Sequence, residues 1–494
     1  MGPPTWENVV TDATCRPRPE DTFQMQVSRG LDRVGVDFDD EHLVANAGLI
    51  APASLAQHLG LRELIEDRVD LGDAPGRANV GHKAMTVVHA VLVGADSIDD
   101  CEVLRSGATA AVLGHAVLAP STIGTFLRSF SWAHARQLDS VAAEATVRAW
   151  AAGAGPAGSA EPFTIDMDSS VHETYGLQKE GATRFTYTHV RGYHPLYAMA
   201  GDDGEVLHSR LRGGSSHTAR GAAGFLAETF SRVRAGGVSG PLKMRADSGF
   251  YSKKVVDACK KAGVGFSITV KLYKNVHAAI SKIPEDAWTP IPYWLEQGAD
   301  VAAIDWHAFG PGPKGVDCRL VVRRVRPTPG SQLALLATYS YHAFITDVEG
   351  GPVGLDAWHR AHADCENAIR DLKYGVGLNH LPSGRFGANA AWLALNVIAH
   401  NLSRWTVRIG GIDTEQPEQG PPAPGPSGEH PDGQVSPKRK SFVATDTLRR
   451  RYLAIPGRIA CSARRLTLHL PARWPWAERF SSALEAIRAI ELVT

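Results

Sequence analysis

The chain of 494 residues lacks paired cysteines, long apolar runs and an excess of charge of either sign. Its six cysteines stand singly with no Cys-x-x-Cys pair, which argues against a zinc knuckle and against a disulfide framework. It has no apolar run of about 18 residues and no basic-apolar-small leader at Met1, so we expect neither a membrane span nor a signal peptide. These absences together predict a protein of the reduced cytoplasm.

The formal net charge is zero, with 52 basic and 52 acidic residues, which by itself argues against a nucleic-acid-binding protein. The charge is unevenly distributed, however. Residues 437–473 hold ten lysines and arginines and a single acidic residue, Asp446. Such a block is typical of a surface that binds phosphates, and its alternative interpretation is a solvated tail.

The pattern of apolar and turn-forming residues divides the chain into several regions. Hydrophobic residues make up 44% of the sequence, enough for a packed core, and the length indicates about three to four units. The predicted regions are a helical N-terminal domain (1–157), an α/β segment (158–271), a β-rich insertion (272–350), a second helical segment (351–410), a disordered Pro/Gly linker (411–440) and a basic C-terminal region (441–494).

Two helical stretches allow more specific predictions. The piece PSTIGTFLRSF (120–130) is either an ordinary packing helix or the second helix of a helix-turn-helix. The stretch ANAAWLALNVIAHNLSRWTVRI (388–409) is apolar on nearly all sides, so we expect a buried helix.

The α/β segment begins with FTIDMDSS, residues 163–170, which carries two aspartates two positions apart. Strand side chains alternate between faces, so Asp166 and Asp168 point the same way. The following stretches RFTYTHV, YHPLYAMA and EVLHSRL read as strands, then come a helix (218–233), the strand LKMRAD, another helix from Ser252 and the strand VGFSITV. This order predicts a mixed α/β fold.

Three acidic residues stand out by their positions on the predicted strands and helix. Asp168 ends the first strand, Asp247 ends a later and adjacent strand, and Glu366 lies in the middle of a helix. Three carboxylates brought together repel one another unless divalent cations lie among them, and oxygen ligands suit Mg²⁺ or Mn²⁺. The alternative is an exposed helix on which Glu366 pairs with Arg370.

The helix around Glu366 has an apolar seam and, beside it, a polar stripe. The stripe consists of His359, His362, Glu366, Arg370 and Lys373. A carboxylate flanked by cationic side chains one turn away is suited to a site that holds metal and phosphate together.

The order Asp168, Asp247, Glu366 on strand, strand and helix resembles the DDE transposases of bacterial insertion sequences. It resembles in particular the branch with a β-rich insertion and a helix signature of Tyr, two residues, Arg, three residues, Glu, six residues, Lys. Glu366 and Lys373 match this spacing, whereas His359 and His362 replace the Tyr and the Arg. A histidine grips phosphate only when it is protonated or acts as a neutral hydrogen-bond donor.

The resemblance implies an RNase H-like catalytic core and two Mg²⁺ ions, for which Mn²⁺ can substitute, held by Asp168, Asp247 and Glu366. It implies cut-and-paste chemistry on terminal inverted repeats, target DNA as a second partner, a homodimer that pairs two ends, and a protein associated with the nucleoid when bound to DNA. Asp166 then becomes a structural residue behind Asp168. The candidate DNA contacts are Lys373, Arg370, His362, His359, Lys253, Lys254 and Trp294.

Other classes of protein share parts of this pattern. DMDSS resembles the nucleophile loop of haloacid-dehalogenase-type phosphatases, with Asp166 as nucleophile, but three successive strands after Asp168 argue against that fold. ADSGF resembles an aspartic protease loop, of which one copy is present. An RNase H-like nuclease or resolvase shares the chemistry, and a domesticated, non-catalytic DNA-binding protein shares the fold.

Overall fold

A computed structural model describes residues 34–73, 76–183, 186, 188–293, 298–327, 339–412, 443–463 and 465–493. Trp294 and the greater part of the predicted Pro/Gly linker, from residue 413 onward, lie outside these described residues. The chain from His42 to its C-terminal end forms one compact unit.

The region before residue 158 is built mainly of helices. Its elements are the strand β1 (Leu43–Val44) and the helices α1 (Ile50–His58), α2 (Leu61–Arg68), α3 (Val80–Leu92), α4 (Pro120–Arg128) and α5 (Trp132–Ala149). α4 corresponds to the piece PSTIGTFLRSF, and it buries Ile123, Phe126 and Leu127 while it contacts α3. α5 begins at a capping box in which Ser131 and His134 each accept a hydrogen bond from the other's backbone.

The middle of the chain forms a large mixed sheet with helices beside it. Its elements are β2 (Phe163–Ser169), β3 (His172–Glu173), β4 (Gly192–Tyr193), β5 (Leu196–Ala200), β6 (Val206–Arg210), α6 (Ala222–Ala235), β7 (Leu242–Ala246), α7 (Lys253–Ala262), β8 (Gly265–Val270), α8 (Lys274–Ile280), β9 (Thr289–Pro290), β10 (Ala299–Ala308), β11 (Val316–Val325) and β12 (Ser340–Thr346). The predicted mixed α/β class is confirmed.

Nine of these strands belong to one sheet, in the order β6-β5-β2-β7-β8-β12-β11-β10-β9. β2, β7 and β8 are parallel neighbours, because α6 and α7 cross over between them, whereas the other pairs are antiparallel. The β-rich segment therefore extends this sheet through the pairing of β12 with β8. The described residues of RFTYTHV do not form the predicted strand, and β3 pairs with β4 in a separate small sheet.

The last part of the chain returns to helices and ends beside the first part. It holds α9 (Pro352–Arg360), a 3-10 turn (Ala361–Ala363), α10 (Asp364–Arg370), a π-helical turn (Asp371–Gly375), α11 (Phe386–Ile409), α12 (Thr445–Leu448), β13 (Gly457–Ser462), β14 (Arg465–His469) and α13 (Ala477–Arg488). α11 is buried over almost its whole length, as predicted. β13 lies between β1 and β14 in a three-stranded sheet.

Two large clusters of apolar side chains hold these elements together. One combines the N-terminal helices, α11 and the C-terminal elements, and the other lies between the sheet and α6 and α7. Among the described residues, none of the helices combines the length and the apolar character needed to cross a membrane.

Candidate active site

Asp168 and Asp247 lie at the same edge of the sheet. β2 and β7 are parallel, and their register pairs Asp166 with Arg245 and Met167 with Ala246. One further step in this register sets Asp168 beside Asp247, since parallel strands end at a common edge. Asp247 also caps the 3-10 turn that follows β7, and its Oδ1 accepts a hydrogen bond from the backbone N–H of Gly249 at 3.0 Å.

The helical segment that carries Glu366 runs along β2, and two contacts fix its alignment. Nδ1 of His362 lies 2.8 Å from Oδ1 of Asp166, and Nζ of Lys373 donates to the carbonyl of Val171 at 3.0 Å. Between these contacts the strand advances about 7 Å from Asp166 to Asp168, and the helix about 6 Å from His362 to Glu366. Because the two advances are nearly equal, Glu366 falls opposite Asp168.

The pKa of Asp168 is consistent with this position. Burial raises its pKa to about 6; His362 opposes the shift, and the carboxylates of Asp247 and Glu366 add to it. Burial also raises the pKa of Asp247, against the hydrogen bond from Gly249. The strand end is therefore a partly buried site with an excess of negative charge.

Asp168, Asp247 and Glu366 fit a divalent cation by their donor chemistry. All three are hard oxygen donors, and the pKa of Asp168 is raised first by burial and further by the charges of Asp247 and Glu366, which a bound cation would offset. The side chains are not drawn tightly together: among the described residues, the one group of three potential ligands with atoms within 4.8 Å of one another is Asp139, His208 and Glu228.

The carboxylates in the group of Asp139, His208 and Glu228 form ion pairs with arginines. Arg232 binds both oxygens of Asp139 at 2.8 and 2.7 Å, and Arg136 bridges Asp139 and Glu228 at 2.9 and 2.7 Å. A further contact joins Arg210 to Glu228. Burial alone would raise the pKa of Asp139, but His208 and Arg232 lower this pKa below its usual range. This charge-compensated network leaves no negative field to attract a cation.

Asp166, which the sequence left as a structural residue, forms a buried ion pair with Arg245. The guanidinium donates to Oδ1 at 2.7 Å and to Oδ2 at 2.6 Å, and both side chains are almost completely buried. Burial alone would raise the pKa of Asp166, but hydrogen bonds from His362 and Arg245 lower it. A nucleophile in a phosphatase needs a free carboxylate oxygen, so this pairing argues against the phosphatase interpretation of DMDSS.

The two histidines at the Tyr and Arg positions of the signature have different surroundings. His359 stacks on Phe344 with ring centroids 4.1 Å apart, and its nitrogens lie 2.7 Å from Ser267 Oγ and 3.0 Å from Thr269 Oγ1. Burial lowers the pKa of His359 to about 3. Neither nitrogen is available to a phosphate, and this geometry argues against the predicted DNA contact of His359.

His362 lies at the site itself. Burial would lower its pKa, but the hydrogen bond and charge of Asp166, together with Asp168, raise it. Its side chain is 15% exposed. The other predicted DNA contacts differ in exposure. Lys373 is partly buried, and burial lowers its pKa. Arg370 and Lys254 are exposed, and Lys253 forms an ion pair with Asp257.

Sequence reasoning missed two residues at this edge of the sheet. Arg245 lies two positions before Asp247 on the same face of β7, and the alternation that relates Asp166 to Asp168 applies equally to it. His194 was missed as well: its Nε2 lies 2.9 Å from Oγ of Ser169, next to Asp168. No local sequence pattern points to His194, because the contact depends on how the loop before β5 folds back.

A mixed sheet with carboxylates at the ends of adjacent parallel strands, and a third carboxylate on a helix beside them, is suited to hold divalent cations for phosphoryl transfer. The sequence matches the family described as transposase DDE domain group 1 over residues 28–418. The chain belongs to this family, whose members are DNA-binding proteins of DNA transposition, and the predicted membership of the DDE transposases is confirmed at this level.

Comparison with solved structures finds a piggyBac transposase synaptic complex with hairpin DNA. The identity is 9%, the alignment covers 75% of this chain and 76% of that chain, and the TM-score is 0.38. No curated protein matches the chain.

Proposed function

We propose that this protein is the DDE transposase of a bacterial insertion sequence, in the branch with a β-rich insertion and the Tyr-Arg-Glu-Lys type of helix signature. It cleaves DNA at terminal inverted repeats and transfers the freed 3′ ends into target DNA. The observation that carries this proposal is the parallel register of β2 and β7, which sets Asp168 beside Asp247, together with the two contacts that align the helical segment of Glu366 on β2. β6, β5, β2, β7 and β8, with α6 and α7, are its RNase H-like core.

Asp168, Asp247 and Glu366 are the catalytic residues of this proposal and would hold two divalent ions, Mg²⁺ or Mn²⁺. When bound, such ions acidify an attacking water or hydroxyl and stabilise the charge that develops on the phosphodiester. The protein's part is geometric: the parallel register of β2 and β7 fixes two of the carboxylates, and the contacts of His362 and Lys373 with β2 fix the third.

Cationic side chains around this edge are suited to bind the DNA backbone. Arg370 lies one turn after Glu366 on the exposed side, and Lys253 and Lys254 begin α7 shortly after Asp247. Lys373 feels the charge of Asp168 and lies within reach of a phosphate at the site. Trp294 stays a proposed base-stacking residue. His359 is left out, since both of its ring nitrogens are engaged.

The remaining parts are assigned to holding DNA ends and a second subunit. The helical region before residue 158 would recognise the terminal repeat. In the basic C-terminal region Arg450, Arg458, Arg465 and Arg473 are exposed and would supply non-specific grip on phosphates. Arg449 is not part of this surface, because it donates to the backbone carbonyls of Leu92 and Gly375. The working unit would be a homodimer that pairs two transposon ends.

A cleavage and joining assay tests the proposal. The protein is incubated with Mg²⁺ or Mn²⁺, a duplex that carries the terminal repeat flanking its gene, and a target plasmid. We expect nicking at the repeat end and joined products, both abolished in Glu366→Gln. Asp317→Asn is the matched control, because it removes an acidic side chain that is 94% exposed on β11, and it should keep full activity.

The rival functions give different results in the same assay. A nuclease or resolvase would cleave without joining the 3′ end to the target. A domesticated DNA-binding protein would shift the duplex in a gel and cleave nothing. Equal cleavage by the wild type and Glu366→Gln would remove Glu366 from the active site.

A further inference from the structure

His362 differs from the other side chains at the site because one of its ring nitrogens is fixed and the other is open. Nδ1 lies 2.8 Å from Oδ1 of Asp166. Arg245 holds that carboxylate ionised through two hydrogen bonds, and an ionised carboxylate only accepts, so Nδ1 carries the proton. Asp166 thus selects both the tautomer and the orientation of the ring.

The support behind Asp166 is rigid. Arg245 donates a further hydrogen bond to the carbonyl of Trp358 at 2.5 Å, and its guanidinium lies 5.5 Å from the centre of the Trp358 ring. Trp358 precedes His362 by one helical turn. The chain of contacts from β7 through Arg245 and Asp166 therefore fixes the ring of His362 against both the sheet and its own helix.

The opposite nitrogen, Nε2, is directed away from Asp166. Among the described residues Nε2 has no hydrogen-bond partner, and it is not one of the buried side-chain nitrogen and oxygen atoms that lack a partner, so it is accessible. Asp168 follows Asp166 on the same face of β2, and Glu366 lies one helical turn after His362, so both of these carboxylates are neighbours of the ring. A histidine whose Nδ1–H is held by a carboxylate, with acidic side chains beside it, has the arrangement that metal-binding histidines use. The ligand atoms of His362, Asp168 and Glu366 do not all lie within 4.8 Å of one another in this structure, so a bound ion would draw these side chains together.

Resting on the proposed function, we infer that Nε2 of His362 is a metal ligand of the catalytic centre, beside Asp168 and Glu366, with Asp166 and Arg245 as its supports. The imidazole stands where the family signature has an arginine, which cannot bind a metal. A mixed nitrogen and oxygen site favours Mn²⁺ and Co²⁺ over Mg²⁺, because imidazole is a softer donor than a carboxylate. The centre would therefore bind Mn²⁺ more tightly than Mg²⁺.

Electron spin echo spectroscopy of bound Mn²⁺ tests this inference without any reaction. The wild-type protein with Mn²⁺ should show the ¹⁴N coupling of a directly bound imidazole. His362→Asn is the decisive variant: its amide occupies the position of Nδ1 and can still donate to Asp166, while Nε2 is gone. We expect the coupling to vanish in His362→Asn and the Kd for Mn²⁺ to rise roughly tenfold to a hundredfold.

His307→Ala is the matched control, since it removes a half-exposed imidazole from β10 and should keep the coupling. The neighbouring His194 and His359 are poor alternative sources, because their nitrogens already contact Ser169, Ser216, Ser267 and Thr269. Circular dichroism of each variant verifies that it is folded.

The outcomes separate this inference from the proposed function. If Mn²⁺ binds the wild type but not Asp168→Asn, and the wild type shows no nitrogen coupling, the proposed site stands. The inference that His362 is a ligand is then overturned. Mn²⁺ binding that is unchanged in Asp168→Asn, or absent from the wild type, overturns both. Coupling that persists in His362→Asn also overturns the inference, since another nitrogen must then be the ligand.

Discussion

Nη2 of Arg404 donates to Oδ2 of Asp371 at 3.0 Å, and both side chains are almost fully buried. Asp371 follows the helix of Glu366, and Arg404 lies on the buried helix α11. Thr445 adds two hydrogen bonds to the same carboxylate, from its backbone N–H at 2.9 Å and its hydroxyl at 2.8 Å. The helix that carries Glu366 is therefore anchored to the interior and to the segment that resumes after the Pro/Gly stretch.

This anchor gives a first prediction. Asp371→Asn leaves Arg404 buried without its partner charge, which should lower the free energy of unfolding by about 3–5 kcal/mol. Because Asp371 is five residues from Glu366, DNA cleavage by the remaining folded protein should also fall. Urea denaturation and the cleavage assay check the two effects, and an unchanged unfolding midpoint would contradict the structural role of Asp371.

The ion pair of Asp166 and Arg245 gives a second prediction. Asp166→Asn alone should destabilise the protein by about 3–5 kcal/mol, since it strands a buried guanidinium. The double variant Asp166→Asn with Arg245→Met removes that charge and should recover part of the loss. A double-mutant cycle by chemical denaturation measures the coupling, and simple additivity of the two single effects would argue against a direct pair.

Gly48 provides a third prediction, on the junction of the N-terminal and C-terminal regions. A Cβ at this position would lie 1.7 Å from the carbonyl oxygen of Tyr452, so Gly48→Ala must displace the backbone there. We expect a loss of about 1–3 kcal/mol or more in unfolding free energy. Gly224→Ala is the control, because a Cβ there meets no atom within 4 Å and the helix α6 gains from alanine.

The pH dependence of stability follows from the lowered pKa of Asp139. Its folded pKa lies below the unfolded value of 3.8, so its ionised form stabilises the fold above that pH, and this contribution is lost as the pH falls below it. Asp139→Asn should therefore cost about 3–5 kcal/mol at pH 7 and much less near pH 2.

Denaturation curves at a series of pH values measure the effect of Asp139→Asn. The control, Asp257→Asn, breaks an exposed pair with Lys253 and should change stability by about 0–1 kcal/mol at any pH. A metal chelator should leave the melting temperature of the wild-type protein unchanged, because this network holds no metal. A loss of stability on chelation that Asp139→Asn abolishes would instead assign a metal to Asp139, His208 and Glu228.

The salt dependence of DNA binding distinguishes Arg370 from His359. Arg370→Gln should weaken binding to all sequences and reduce the slope of log K against log salt by about 1, as expected when one phosphate contact is lost. His359→Gln should leave that slope unchanged, because the ring contacts Ser267 and Thr269 within the fold. Fluorescence anisotropy at several salt concentrations measures both slopes. A reduced slope in His359→Gln would show that His359 contacts DNA after all.

The amino-acid sequence by itself determined the mixed α/β class and the buried helix α11, because periodicity and apolar content are local properties. The spacing of Asp168, Asp247, Glu366 and Lys373 on their elements was sufficient for the family resemblance. Strand alternation alone could not separate Asp166 from Asp168, since both lie on one strand face, and the choice of Asp168 came from its place at the strand end and from the resemblance.

Tertiary structure decided what each of these residues contacts. Parallel pairing of β2 with β7 joined Asp166 to Arg245 and set Asp168 beside Asp247. Packing of the Glu366 helix on β2 turned His362 toward Asp166 and buried His359 against Phe344. Apart from the stacking of His359 on Phe344, these contacts join residues about 80 to nearly 200 positions apart, and the register between distant elements is fixed by packing that no local pattern encodes.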